Sequence, residues 1–443
     1  MTELPEVLDL TPNGLHQPFL ERAVDEDEAS PEGMLAAFLT LRVVDQFASG
    51  AAPSEATGYQ VRATEEYLER LDPDRPETVH LLAIVRAAAA VVAHGDMQPL
   101  LAPLVAFAER LIEDLKLAQA LDVLNTALRA FERGGQSSHV RLQLFRGRVL
   151  RQMGLFAEAN EAYSIADHLA RLCADDHSSL LARIGQGIVL QRRGNLPGAR
   201  AMLTQVKEDA RRVGDRDAEA RATHDLAVNH ILQGRFADGA FLAFEAFALY
   251  DNVGFRRLAL SDLGVALKNL GHYEAARDAF ELVVAHAPEF GARVNALLEL
   301  LHVASLRADR IGFERCRNEV EAMQNTLPPS AYVDFNIKVA SGFSSFGHPE
   351  RAVSYLKTAV EHAERHNLNR HLFEAEALLD AATKELKTAT APVPPQMAPD
   401  AVVWDDNIEQ VAQVLQELHG EPDLVSTYSI PACPWEHNHH ADQ

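Results

Sequence analysis

Small and apolar residues return at fixed intervals through the middle of the chain. In GRVLRQMGLFAEANEAYSIA the pattern is Gly147, Gly154, Phe156, Ala159, Tyr163 and Ala166. The same spacing holds Gly187, Gly194, Leu196, Ala199, Leu203 and Val206, then Ala227, Gly234, Phe236, Gly239, Ala243 and Ala246. Gly264, Gly271, Tyr273, Ala276, Phe280 and Val283 form a fourth copy. After a degenerate unit around Asp309, the spacing resumes with Ala340, Gly347, Pro349, Ala352, Leu356 and Ala359. The glycines at 154, 194, 234 and 271 lie about forty residues apart, and the gap to Gly347 is two such units. Self-similarity at this period marks a stacked repeat architecture.

Each position has a physical task. Gly154 and its counterparts end a first helix, because a residue free to turn left-handed closes the turn without steric penalty. Gly147 and Ala159 let the two helices of a hairpin approach. Tyr163 or Phe280 fills the space between hairpins, an aromatic ring burying ~150–250 Å². No hairpin covers its own apolar face, so the units must stack.

Toward the N-terminus, Ala120, Leu124 and Ala127 fit the second helix of a unit whose first helix spans about 98–114, and an earlier pair is expected at about 57–71 and 77–93. Residues 1–30 lack helical periodicity and read as a flexible acidic arm. Residues 31–387 read as one helical repeat domain, with clear units over about 138–366 and a capping helix over 368–387. A Pro-rich linker is expected over 388–403, containing TATAPVPPQMAP, in which repeated prolines prevent a helix. The acidic tail 404–443 places Ile408, Val411, Leu415 and Leu418 on one face of a short amphipathic helix that needs something to pack on.

The repeat spacing resembles that of the tetratricopeptide repeat, over roughly residues 97–387. These units are longer than the usual ~34 residues and mostly lack the signature Trp and closing Pro. Longer repeats of this kind are similar to those of bacterial signal-sensing regulators, including maltose-regulator-like sensor domains and response-regulator aspartate phosphatases. The resemblance implies an all-α fold, a right-handed α-solenoid of antiparallel helical hairpins. It also implies a binding surface on the first helix of each hairpin.

Charge then narrows the partners. The formal net charge is -23. It is concentrated at the ends: residues 1–40 carry nine acids against Arg22, and 388–443 carry nine acids with no Lys or Arg. Nucleic acid is excluded as a partner, since phosphate affinity comes from cations that displace counterions. No run reaches the length of a membrane span and no basic start precedes an apolar core, so neither membrane insertion nor export is expected. Cys173, Cys316 and Cys433 lack paired spacing, which suits a reducing cytoplasm.

A search for chemistry finds little. There is no phosphate-cradling glycine loop and no G-x-S-x-G elbow. His362 and His366 sit four apart, as metal ligands do, but Ala363 stands where a zinc protease needs Glu. Cys433, His437, His439 and His440 are the weak metal candidates. No enzyme activity and no cofactor are expected.

The outward positions of the first helices instead carry Arg141, Arg148, Arg151, Gln152, Arg192, Arg221, His224, Lys268, Asn269 and Arg307. That set predicts a basic concave groove suited to carboxylate-bearing ligands, with pairing to acids such as Glu299 as the alternative. The carboxylate clamp of chaperone-binding repeats is absent, because the matching places hold Leu144, Arg148 and Gly185. The expectation is a scaffold or regulatory adaptor for an acidic protein or peptide. The alternatives are a sensor for a small molecule or signalling peptide, and a C-terminal tail that folds back into the groove.

Overall fold

In a computed structural model, residues 15–25, 30–48, 54–132, 135–287, 290–388, 406–420 and 425 are described. These residues are helical and contain no strand. The chain forms two compact units, Met1–Val213 and Gly214–Gln443.

The first unit holds α1 (Gln17–Ala23), α2 (Pro31–Ala48), α3 (Glu55–Leu68), α4 (Pro76–His94), α5 (Leu101–Glu113), α6 (Leu117–Ala130), α7 (Gln136–Gln152), α8 (Phe156–Leu172), α9 (Asp176–Arg192) and α10 (Leu196–Val213). The second holds α11 (Arg216–Leu232), α12 (Phe236–Leu249), α13 (Val253–Asn269), α14 (Tyr273–His286), α15 (Phe290–Leu306), α16 (Arg310–Glu321), α17 (Pro329–Ser345), α18 (Pro349–Arg365), α19 (Asn369–Thr388) and α20 (Asp406–Gly420). A single repeat domain over 31–387 was the expectation. A stack in which each hairpin touches only its neighbours divides readily at a hairpin boundary, and here the division falls after α10.

One turn builds the hairpins. Gly154 has φ 79°, and the next amide, Leu155 N–H, donates to the Leu150 carbonyl at 2.9 Å. The same closure recurs from Asn195 to Leu190, Arg235 to His230, His272 to Leu267 and His348 to Phe343. It satisfies a carbonyl that the ending helix leaves orphaned. Four turns make the closure without glycine, two of them within hairpins and two, at Ala174 and Asn367, between them. Leu115 at φ 58° joins α5 to α6, and Ala308 at φ 55° joins α15 to α16, with Asp309 donating to Ala304 at 2.9 Å. The degenerate unit around Asp309 is therefore a full hairpin.

Packing follows the small-to-large pairing. Tyr163 of α8 is buried against both Gly147 of α7 and Gly185 of α9, where a Cβ on Gly147 would lie 2.7 Å from the ring. In the second unit Phe280 fits against Gly264, and Phe313 against Gly342. One ring thus ties a hairpin together and seats the next upon it. The hairpins have the tetratricopeptide arrangement, consecutive first helices touching as α7 does α9 and α15 does α17. α4 has the length and apolarity of a membrane span, yet its Leu81, Ile84, Val85, Ala88 and Val91 are buried, and it packs on α2, α3 and α5.

Two expectations about the ends change. Residues 15–25 are not part of a loose arm: α1 packs on α2 and α6, and Phe19 is fully buried, stacked on Phe107. His16, also fully buried, holds Asp122 through Nδ1 at 2.8 Å and Asp45 through Nε2 at 2.9 Å. Periodicity gave no hint of this, because the anchor is one polar residue ahead of a seven-residue helix. At the other end, Ile408, Val411, Leu415 and Leu418 are buried as the amphipathic pattern requires, but α20 packs on α12 and α14. Those are second helices, so α20 does not occupy the first-helix face. Five residues past α20, the Val425 carbonyl accepts a hydrogen bond from Arg256 at 2.8 Å. The rest of the expected tail and the Pro-rich linker from 389 on lie outside the described residues.

Burial lowers the His16 pKa, but the hydrogen bonds and charges of Asp122 and Asp45 outweigh it, so the pKa is raised above 6.5. The stabilisation is therefore complete below the unfolded value and lost as pH rises through the raised one. His16→Ala leaves two carboxylates short of a cation and should cost about 3 kcal/mol. In wild type, tryptic cleavage at Arg22 should accelerate above the His16 pKa, while the variant is cleaved quickly at every pH. A second test concerns the turns: Ala308→Gly should stabilise by about 0.5–1 kcal/mol in thermal melts, and Gly271→Ala should destabilise.

Candidate functional site

The first-helix face was expected to be mostly basic, with pairing to acids such as Glu299 as the alternative, and the two units differ on this point. In the second unit, every expected cation has a carboxylate. Arg221 of α11 donates to Asp217 at 2.7 Å and lies 4.4 Å from the centre of the Phe255 ring. His224 donates from Nε2 to Asp262 of α13 at 2.8 Å, and its Nδ1 is 3.2 Å from the Tyr250 hydroxyl. Burial lowers the His224 pKa, but Asp262 more than compensates and the pKa is raised. Arg307 pairs with Glu274 and, at 3.9 Å, with Asp309. Asn269 uses its amide to cap the Val265 carbonyl at 2.8 Å.

The densest cluster joins three successive first helices. Lys268 of α13 and Lys338 of α17 hold opposite oxygens of Glu299 of α15, at 2.5 and 3.0 Å, and Lys338 also reaches Asp334 at 2.6 Å. Burial alone would raise the Glu299 pKa, but the two lysines hold it down at about 2. His302, one turn along α15, is pushed down to about 4 by burial and by the Lys268 charge. It is therefore a neutral imidazole at physiological pH. Two positive and two negative side chains cancel, so the cluster is an ionic ladder and not a basic groove.

Sequence reasoning named Lys268 and Glu299 of this ladder and missed Lys338 and Asp334. Asp225, Asp262, Glu299 and Lys338 all stand nine residues before a turn residue, Gly234, Gly271, Ala308 and Gly347. That row was readable once Ala308 counted as a turn. Asp262, Tyr250, His302, Asp334 and Lys338 were all absent from the expected set.

In the first unit the face is different. Arg141 and Arg148 on α7, and Arg192 on α9, are exposed, as is Gln152. None of these arginines forms an ion pair among the described residues. Arg151 is half-buried, and its Nε is buried without an acceptor. The row that supplies acids in the second unit here holds Phe145 and Gly185. The apolar Leu144, Phe145 and Ile188 lie between the arginines by helical spacing. An unopposed guanidinium group presents a planar fork that matches a carboxylate.

The metal candidates do not gain from the structure. His362 and His366 stack on each other with ring centroids 6.3 Å apart, and His362 meets Tyr332. Cys433, His437, His439 and His440 lie outside the described residues. Asp278, Glu281 and His419 cluster where α20 meets α14, but Arg277 holds Asp278 at 2.7 Å and Arg315 holds Glu281 at 3.2 Å.

The ladder has a pH signature. His302 and Glu299 both have depressed pKa values, so their contribution is present above the unfolded values and lost as pH falls, first from about 6.5 to 4 and then toward 2. His302→Gln should remove the upper part of that acid loss and leave the lower part, as read from urea unfolding midpoints at pH 7, 5 and 4.

No protein-family model matches the chain. It is 30% identical over 211 residues, 48% of its length, to the regulatory protein AfsR of Streptomyces griseus, of which that match covers 21%. The chain thus spans about a fifth of the curated relative it matches. Among solved structures it is similar to the Rap conjugation gene regulator of the plasmid pLS20 in complex with the Phr* peptide, at 12% identity and a TM-score of 0.49, covering 76% of this chain and 98% of that one. The quorum sensor NprR of B. thuringiensis shares 13% identity at a TM-score of 0.46, covering 79% and 98%. Aspartyl phosphate phosphatase F of Bacillus subtilis shares 11% at 0.46, covering 82% and 96%. These likenesses assign no residue of this chain a role.

Proposed function

We propose that this chain is a regulatory adaptor that recognises a carboxylate-bearing peptide or protein segment on the first helices α7 and α9, without chemistry of its own. One observation carries the reading: Arg141, Arg148 and Arg192 are exposed with no carboxylate of their own among the described residues. The apolar residues between the arginines supply area for a segment that mixes acids with hydrophobic side chains. The match to a protein named as regulatory supports a role in control. Free Cys173 and Cys316 suit a reducing, cytoplasmic setting.

A second reading, a sensor for a small molecule or signalling peptide, draws on the ladder of the second unit. Its alternating charges give a zwitterionic ligand partners of both signs. Ligand-induced melting shifts abolished by Lys338→Met but not by changes on α7 would favour it.

The leading reading is tested with a pool of acidic peptides measured by fluorescence anisotropy. Reversing Arg148 and Arg151 to Glu together should weaken binding at least tenfold, about 1.4 kcal/mol, and wild-type affinity should fall with added salt. Binding that survives both the reversal and high salt sinks the α7–α9 assignment.

A further inference from the structure

We propose that the cleft between α2 and α3 in the first unit binds a small amphiphilic carboxylic acid, an apolar body ending in one carboxylate. The cleft is open to solvent on one side and has a volume of about 530 Å³, within the range of small-molecule sites. Helical spacing builds it: Phe38, Leu39, Arg42 and Val43 share one face of α2, and Tyr59 and Ala63 the facing side of α3. Phe38 and Leu39 are only half-buried, and Tyr59 is 67% exposed. Aromatic and aliphatic surface is thus left open to solvent on both walls.

Charge selects the ligand's head. Arg42 is the only charged residue in the lining, is exposed, and has no ion pair among the described residues. The nearest acid on its own helix, Asp45, is committed to His16 and to Arg129 at 3.1 Å. A guanidinium at the rim of an apolar cleft favours a carboxylate over the matching alcohol or amine. Gln46, Gln60 and Thr64 complete the lining, so the aromatic and aliphatic surface takes the ligand's apolar body and the guanidinium its carboxylate, and the peptide arm of the test below decides whether the polar lining prefers main-chain amides. Phe38 meets His16 edge to face at 6.0 Å between centroids, so the floor of the cleft adjoins the His16 clamp. This site lies on other helices than the arginines of α7 and α9, and stands or falls independently of them.

The test uses the full chain, with decanoate, decanol, decylamine and an acetylated peptide ending in a leucine carboxylate, followed by calorimetry. Decanoate should bind saturably and best. Arg42→Gln should weaken decanoate at least tenfold while leaving decanol unchanged, and Ala63→Trp should abolish both. Both positions are exposed, so folding is preserved and is checked by circular dichroism. In a histidine-labelled sample, decanoate should shift the His16 ring resonances of wild type but not of Ala63→Trp. No saturable binding of decanoate overturns the proposal, as does equal binding of decanoate and decylamine or indifference to Arg42→Gln. Tighter binding of the peptide than of decanoate overturns the small-molecule assignment and makes the cleft a site for chain termini.

Discussion

The left-handed residue that closes the hairpins from α5–α6 to α17–α18 is the constraint on which the rest depends. A helix ends with orphaned carbonyls, and a single residue at positive φ turns the next amide back to satisfy one of them. That closure sets the second helix against the first at a fixed register. Register in turn puts a glycine beneath Tyr163 and another beneath Phe280. Without it the aromatic rings would meet Cβ atoms, and the hairpins would not seat on one another. Leu115 and Ala308 show that the geometry is what the fold requires and that glycine is only its least costly provider.

Register also decides which charges meet. Residues nine before each turn fall into a row across successive first helices, and in the second unit that row offers Asp262 to His224 and Glu299 to Lys268 and Lys338. The cations there are spent on holding the stack. In the first unit the same row holds Phe145 and Gly185, and the arginines are left facing solvent. Two stretches of one repeat, alike in backbone, thereby differ in charge: in one the cations are paired, and in the other Arg141, Arg148 and Arg192 have no ion pair among the described residues.

The ends obey a different logic. The fold holds α1 and α20 by docking and not by repetition. Each contributes a small apolar face, Phe19 in one and Ile408, Val411, Leu415 and Leu418 in the other, and each is tied by a buried basic side chain, His16 or Arg256. A charged group buried in this way needs its partners in place. Both ends are thus bound to particular helices and not to the stack at large.

The sequence by itself determined the hairpins, their period and the residues that fill them, because a helix's apolar spacing and its terminating turn are local properties legible within twenty residues. It determined the buried face of α20 for the same reason, and it named some of the cations on the first helices, Arg148 and Lys268 among them. What covers that face of α20, which acid meets which cation, and that His16 anchors an N-terminal helix were decided only by tertiary structure. Each of those joins residues far apart in the chain, as His16 joins Asp122 and Lys268 joins Glu299. No spacing rule reaches across such separations, and the difference between an open arginine and a neutralised one lies there.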